Sequence, residues 1–236
     1  MATLYLVPAP LGDGPLDAVL PADVRTIANG IDHWVVENAK TARRFLKLYG
    51  PERKIAELHM GELSEHTKAD ALLALLEPAL AGHDVGVISE AGCPGVADPG
   101  AELVRLAHAH GIRVAPLVGP SSILLALMAS GATGQRFRFH GYLPVEAGPR
   151  LERLREIERD SQRLDEAQLF IETPYRNDAM LDAVVQACRS QTVLTVARDM
   201  TTPDELVVSK SLGKWKADAR PELKKRPAMY VLYAGK

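Results

Sequence analysis

The sequence predicts an α/β protein made of two α/β domains, and three observations carry that expectation. Through the first half, short apolar runs alternate with amphipathic helical stretches, the pattern of a largely parallel sheet flanked by helices. In the second half several strand-like runs follow with fewer helices between them, which predicts a mixed sheet. Composition shifts between residues 116 and 136, so the domains are expected to divide as 1–118 and 119–236.

Strands are expected at residues 4–7, 33–37, 54–58, 85–89 and 113–117, each a short apolar or alternating run bounded by turn residues. Helices are expected at 41–48, 67–81 and 100–110, where apolar residues recur at three- and four-residue spacing. Ser121 follows Pro120 and precedes ILLALMAS, a helix opened by a serine cap and ended by Gly131 and Gly134. That segment is apolar all round, so it must be buried in a core or in a subunit contact. Beyond it, 136–142, 168–172, 193–198, 205–211 and 229–233 read as strands, and 149–163 and 177–188 as helices. In the first of these helices Leu151, Leu154 and Ile157 form one apolar stripe, and the interleaved Arg and Glu around them read as a solvated face.

With 236 residues and 47% hydrophobic content, the chain can build a substantial core. Lys and Arg number 28 against 30 Asp and Glu, so no global basic field marks it as a nucleic-acid binder, and an RNA partner would need a local patch. Two cysteines, Cys93 and Cys188, are too few for a disulfide framework and lack zinc-ligand spacing, so no metal is expected. The amino-terminal MATLYLVPAP has no basic leader region, and no apolar stretch approaches a membrane span. A reducing cytoplasm is the expected compartment.

The most informative stretch is VGVISEAGCPGVADPG, residues 85–100. A buried strand runs straight into a loop where Gly92, Pro94, Gly95, Pro99 and Gly100 forbid helix and strand alike. Open α/β sheets bind ligands at such carboxyl-terminal loops, and glycines allow close approach to the backbone. The dinucleotide fingerprint G-x-G-x-x-G is missing after the first strand, where VPAPLGDGP stands instead, and so is a G-x-x-x-x-G-K-[ST] phosphate loop.

SEAGCPGVADPG, GIRVAPLVGPSSILLALMASG, FHGYLP, IETPYR and TVARDMTTPDELVVSKSL occur in order over nearly the whole chain. Together they resemble the tetrapyrrole methylase superfamily of S-adenosylmethionine-dependent methyltransferases, in particular the branch that methylates ribose 2′-hydroxyls of 16S ribosomal RNA. The resemblance implies a homodimer of subunits with a cofactor cleft between the two α/β domains. It assigns S-adenosylmethionine to four segments: Pro8, Ala9 and Pro10; Glu90, Ala91, Gly92, Gly95 and Val96; Pro120, Ser121 and Ser122; and Tyr142 with Leu143. Backbone groups on glycine-rich turns suit the adenine edge and the amino-acid end of such a ligand, and hydroxyls suit its ribose.

Transfer to an alcohol needs its proton removed or its oxygen held in line. Candidate catalytic groups are Glu37 and Lys40 after the second strand, and Glu65 and His66 before the third helix. The resembled RNA-methylating branch usually reads E-D-T-R where this chain reads Glu37-Asn38-Ala39-Lys40, and many of its members continue into a helical extension beyond the point where this sequence ends. Arg43, Arg44 and Arg176 are the candidate substrate contacts, suited to phosphate or carboxylate, with a structural ion pair the equal alternative for Arg176. The expected activity is methyl transfer to ribosomal RNA or the small ribosomal subunit. A tetrapyrrole, another small molecule or a peptide as acceptor, and a non-catalytic cofactor-binding protein, are the alternatives.

Overall fold

In the computed structural model, which describes residues 2–50, 54–64 and 66–235, the chain folds as two units, 1–121 and 122–236. The first begins with β1 (Thr3–Leu6), α1 (Ala22–Asn29), β2 (His33–Val36), α2 (Ala39–Tyr49) and β3 (His59–Glu62). It continues with α3 (Ala69–Leu80), β4 (Val85–Ile88), α4 (Ala101–Ala109) and β5 (Arg113–Pro116). Its strands form one parallel sheet in the order β3-β2-β4-β1-β5. The central β4, with sequence VGVI, is buried along its whole length, as a strand covered on both faces must be. Edge strands β3 and β5 expose their ends.

Local chemistry explains several of these elements. Asn38 caps α2 by accepting hydrogen bonds from the backbone N–H groups of Lys40 (2.9 Å) and Thr41 (3.2 Å), and Gly50 ends the helix at φ +73°. Gly86 stands opposite Trp34 in the β2–β4 register. A Cβ there would lie 2.6 Å from the indole ring, so glycine is what admits this fully buried tryptophan.

The expectation of a strand over 54–58 is corrected. That segment contains a 3-10 turn, Ile55–Glu57, and the strand follows it as β3. The physical reason is register: β3 pairs with β2 from His33 opposite His59, while Ile55 and Leu58 are drawn into packing against the core around Phe45 and Tyr49. The short helix α1, absent from the sequence expectation, buries Val24 and Ala28 in that same core.

The second unit comprises α5 (Ser122–Ser130), β6 (Phe137–Tyr142), α6 (Ala147–Leu164), β7 (Ala167–Glu172), α7 (Asn177–Ala187), β8 (Val193–Arg198), β9 (Leu206–Ser211), α8 (Leu212–Ala217) and β10 (Ala228–Tyr233). The sheet order is β6-β7-β10-β8-β9, with β6 parallel to β7 and the other pairs antiparallel, the mixed sheet that the sequence predicts. Leu154 and Ile157 of α6, Met180 and Val184 of α7, and Phe170, Tyr230 and Val196 of the sheet make one core. The last turn of α5 is anchored by Ser209 Oγ, which donates to the Ser130 carbonyl at 3.1 Å. The additional helix α8 buries Trp215, whose indole N–H donates to the Leu194 carbonyl at 2.8 Å. With β6 parallel to β7 and β7 parallel to β8 through the shared antiparallel neighbour β10, the carboxyl ends of all three strands meet at one sheet edge.

Candidate active site

The carboxyl edge of the first sheet brings together the loops that leave neighbouring strands β4, β1 and β5. Ala9 N–H donates to the Gly92 carbonyl (2.8 Å) and Gly92 N–H to the Ala9 carbonyl (3.0 Å), so the loops after β1 and β4 are stitched together. Cys93 Sγ lies 3.5 Å from the Pro120 carbonyl, and a Cβ on Gly119 would lie 2.3 Å from the Pro8 ring, which brings in the loop after β5. Gly92 and Gly95 take φ of +71° and +77°, and a Cβ on Gly92 would lie 3.3 Å from Leu11 and 3.5 Å from the Pro120 carbonyl. Pro8, Ala9, Pro10 and Pro120 are buried, whereas Glu90, Ala91 and Val96 are exposed at the loop surface. The result is a rigid cradle of backbone groups.

Beside it stands a group of carboxylates. Burial raises the pKa of Glu37, at the end of β2, to about 7, and the neighbouring charges of Asp98 and Glu90 push in the same direction. The Glu90 backbone N–H donates to this carboxyl, while Glu37 Oε1 is buried with no hydrogen-bond partner. Asp98 is likewise raised, chiefly by burial, against the hydrogen bond from Ser89. Thr41 Oγ1 donates to Glu90 Oε1 at 3.1 Å, and Ala39 N–H to Glu62 Oε1 at 3.3 Å, so the first turn of α2 is tied to the loop after β4 and to the end of β3. Asp98 also lines a cavity of about 300 Å³ with Ser64, Thr67, Pro99, Gly100 and Arg105.

Sequence reasoning singled out Glu37 but passed over Asp98 and Thr41. Two acids in loops that follow adjacent parallel strands were the available signal. Of the other catalytic candidates, Lys40 is exposed in the first turn of α2, and His66 is exposed, its backbone N–H held by Ser64 Oγ at 3.3 Å. Glu65 lies outside the described residues.

The remaining candidates fall on both units. Arg43 and Arg44 are exposed on α2, Arg44 stacking over the Phe45 ring at 5.1 Å. Arg176 does not stand free: its Nε and Nη2 donate to Glu172 Oε1 at 3.0 and 2.6 Å, and the Glu172 side chain is 0% exposed. A carboxylate buried that deeply requires a cation beside it. Ser121 and Ser122 sit at the start of α5, Tyr142 ends β6 with 59% of its surface exposed, and the Leu143 side chain is in the core of the second unit. Among the described residues, no group of three or more His, Cys, Asp or Glu side chains is arranged to hold a metal ion, and no helix is long and apolar enough to cross a membrane.

A parallel sheet with a backbone cradle over its carboxyl edge and acid groups alongside defines an α/β protein with its candidate site where open α/β sheets bind ligands. The family model described as Tetrapyrrole (Corrin/Porphyrin) Methylases matches residues 3–215, and the chain belongs to that family. It is a methyltransferase family, and the chain is an enzyme of that kind. The ribosomal RNA small subunit methyltransferase I of Mesorhizobium japonicum is 37% identical over 84% of this chain, which spans 63% of that protein's length. The protein of the same name from Xylella fastidiosa is 30% identical over 98% of this chain and 80% of its own length. Among solved structures, the methyltransferase CobJ aligns over 98% of this chain and 93% of its own with a TM-score of 0.62 at 23% identity. Diphthine synthase aligns over 98% and 90% with a TM-score of 0.67 at 15% identity. These two likenesses establish the fold.

Proposed function

We propose that the protein transfers a methyl group from S-adenosylmethionine to a ribose 2′-hydroxyl of small-subunit ribosomal RNA. The observation that carries this reading is kinship along the chain: 30% identity to a small-subunit ribosomal RNA methyltransferase over 98% of this sequence and 80% of that one. The residues present fit the cofactor. Ala9 and Gly92 spend their backbone N–H groups on each other, which leaves a fixed cradle whose Ala9, Gly92 and Pro120 carbonyls keep acceptor capacity, and the Glu37, Glu90 and Asp98 carboxylates supply negative potential suited to a sulfonium cation.

When bound, S-adenosylmethionine supplies an electrophilic methyl group. The protein's own task is to bring the hydroxyl into line and receive its proton. Glu37 is suited to that role: with a pKa of about 7 its carboxyl is substantially ionised at neutral pH yet basic enough to accept a proton. Thr41 holds Glu90 in place, and Glu90 in turn donates its backbone N–H to Glu37. Asn38 is occupied as a helix cap and is assigned no proton transfer.

We also propose a symmetric dimer and a cytoplasmic location. Leu124 and Met128 lie one turn apart on α5 with 51% and 79% of their surfaces exposed, an apolar stripe on a helix whose other side is buried. The functional reading is tested by incubating the protein with isotopically labelled S-adenosylmethionine and unmethylated small ribosomal subunits, then digesting the RNA to nucleosides. Label in a 2′-O-methylnucleoside supports it, and absence of label across a range of salt overturns it.

A further inference from the structure

The turn after β7 and the basic segment before β10 form one surface whose parts are far apart in sequence. Lys225 N–H donates to the Pro174 carbonyl at 2.9 Å, which places the KKRP segment against the turn Thr173–Arg176. Tyr175 stands at the tip of that turn with 75% of its surface exposed. Lys224 and Lys225 are exposed beside it. Among the described residues neither lysine makes an ion pair, whereas the nearby carboxylates Asp199 and Asp204 are both engaged by Arg226, at 3.2 and 2.9 Å.

The turn is held more firmly than an ordinary surface connection. Arg176 N–H donates to the Thr173 carbonyl, Thr173 N–H and the Arg176 guanidinium both donate to the buried Glu172 carboxylate, and Lys225 itself is held at φ +61°. A non-glycine residue in that left-handed conformation is strained, and strain of this kind persists only where surrounding bonds fix it. The buried Glu172–Arg176 pair therefore fixes a backbone whose outermost group is an aromatic ring in water.

We propose that Tyr175, Lys224 and Lys225 form a binding patch for single-stranded RNA. A nucleobase stacks on the Tyr175 ring, and the phosphates on either side meet the two ammonium groups. A tyrosine offers either face to any base, lysines supply sequence-independent charge, and a pinned turn loses little entropy on binding. The patch rests on the RNA reading above and locates where the acceptor strand is gripped. It also reassigns Arg176 from phosphate contact to a residue that positions the tyrosine.

The test uses the full chain and a fluorescein-labelled single-stranded oligoribonucleotide of about ten nucleotides, with affinity read by anisotropy over a series of salt concentrations. Tyr175→Ala should weaken binding about tenfold or more while Tyr175→Phe retains it. Lys224→Ala with Lys225→Ala should flatten the slope of log affinity against log salt by about 1.4, about 0.7 for each phosphate neutralised. S-adenosylmethionine affinity and the unfolding midpoint should be unchanged in all three. Wild-type protein that binds and methylates RNA, with variants that bind it equally well, would overturn the patch and leave the functional reading standing. Wild-type protein that neither binds nor methylates RNA would overturn both.

Discussion

Ala9 and Gly92 exchange two backbone hydrogen bonds, 2.8 and 3.0 Å long, that close the loops after β1 and β4 into one frame. This bridge lies outside the sheet proper and holds the two loops together. Gly92 holds its place at φ +71°, so Gly92→Val should add both backbone strain of about 1–3 kcal/mol and a side chain pressed toward Leu11 and the Pro120 carbonyl. Calorimetric titration is expected to show roughly micromolar S-adenosylmethionine binding in the wild type, on the order of 8 kcal/mol, and none in the variant. Circular dichroism should show that the variant remains folded.

Glu37 predicts two pH dependences. As base, it must be ionised, so the transfer rate should rise with pH through about 7, and Glu37→Gln should lower the rate by about 10²–10⁴-fold and remove the inflection. For stability the sign is opposite. A carboxyl whose folded pKa is raised from 4.5 to about 7 contributes stability below about 4.5 that is lost as pH rises through 7. Glu37→Gln should therefore raise the unfolding midpoint relative to wild type more at pH 8 than at pH 5. An equal shift at both values would show that the carboxyl titrates normally.

At the opposite edge of the same sheet, His33 stacks on His59 with ring centroids 4.9 Å apart and lies 5.5 Å from His83. Burial first, then repulsion from these two rings, lowers the His33 pKa, against the opposing pull of Asp32. A base with a lowered folded pKa contributes stability that is present above its unfolded value near 6.5 and is lost as pH falls through the folded one. Urea denaturation from pH 7.5 down to 5.5 should show wild type losing stability relative to His33→Asn. Parallel curves would mean that the His33 pKa is not lowered. Because Glu37 shifts stability the other way over part of this range, the comparison must be made between variant and wild type.

The α5 stripe sets the assembly prediction. Light scattering should give twice the 25.6 kDa chain mass, and Met128→Asp should give the monomer mass. A wild-type monomer at micromolar concentration would refute the dimer without touching the chemistry.

Much of the architecture was legible because burial leaves a pattern. The run VGVI announces a strand covered on both faces, and Leu154 with Ile157 marks the inner side of α6. The error at 54–58 arose because Ile55 and Leu58 are apolar for packing while the sheet register begins at His59, a residue with no strand signature of its own. At the candidate site, the glycine-rich loop could be found from composition, since positive φ selects for glycine. The Thr41–Glu90 bond and the closeness of Asp98 to Glu37 could not, because they join loops that only the sheet order brings together. For Arg176 the sequence leaves substrate contact and a structural ion pair equally open, because the complete burial of Glu172 is not written in IETPYR.

The most direct test of the central claim is mass spectrometry of ribosomal RNA nucleosides after reaction of unmethylated small subunits with labelled S-adenosylmethionine, wild-type protein and Glu37→Gln. The account predicts a labelled 2′-O-methylnucleoside with wild type and at least about a hundredfold slower formation with the variant. Label on a base or on ribosomal protein, or equal rates for the two proteins, would contradict it.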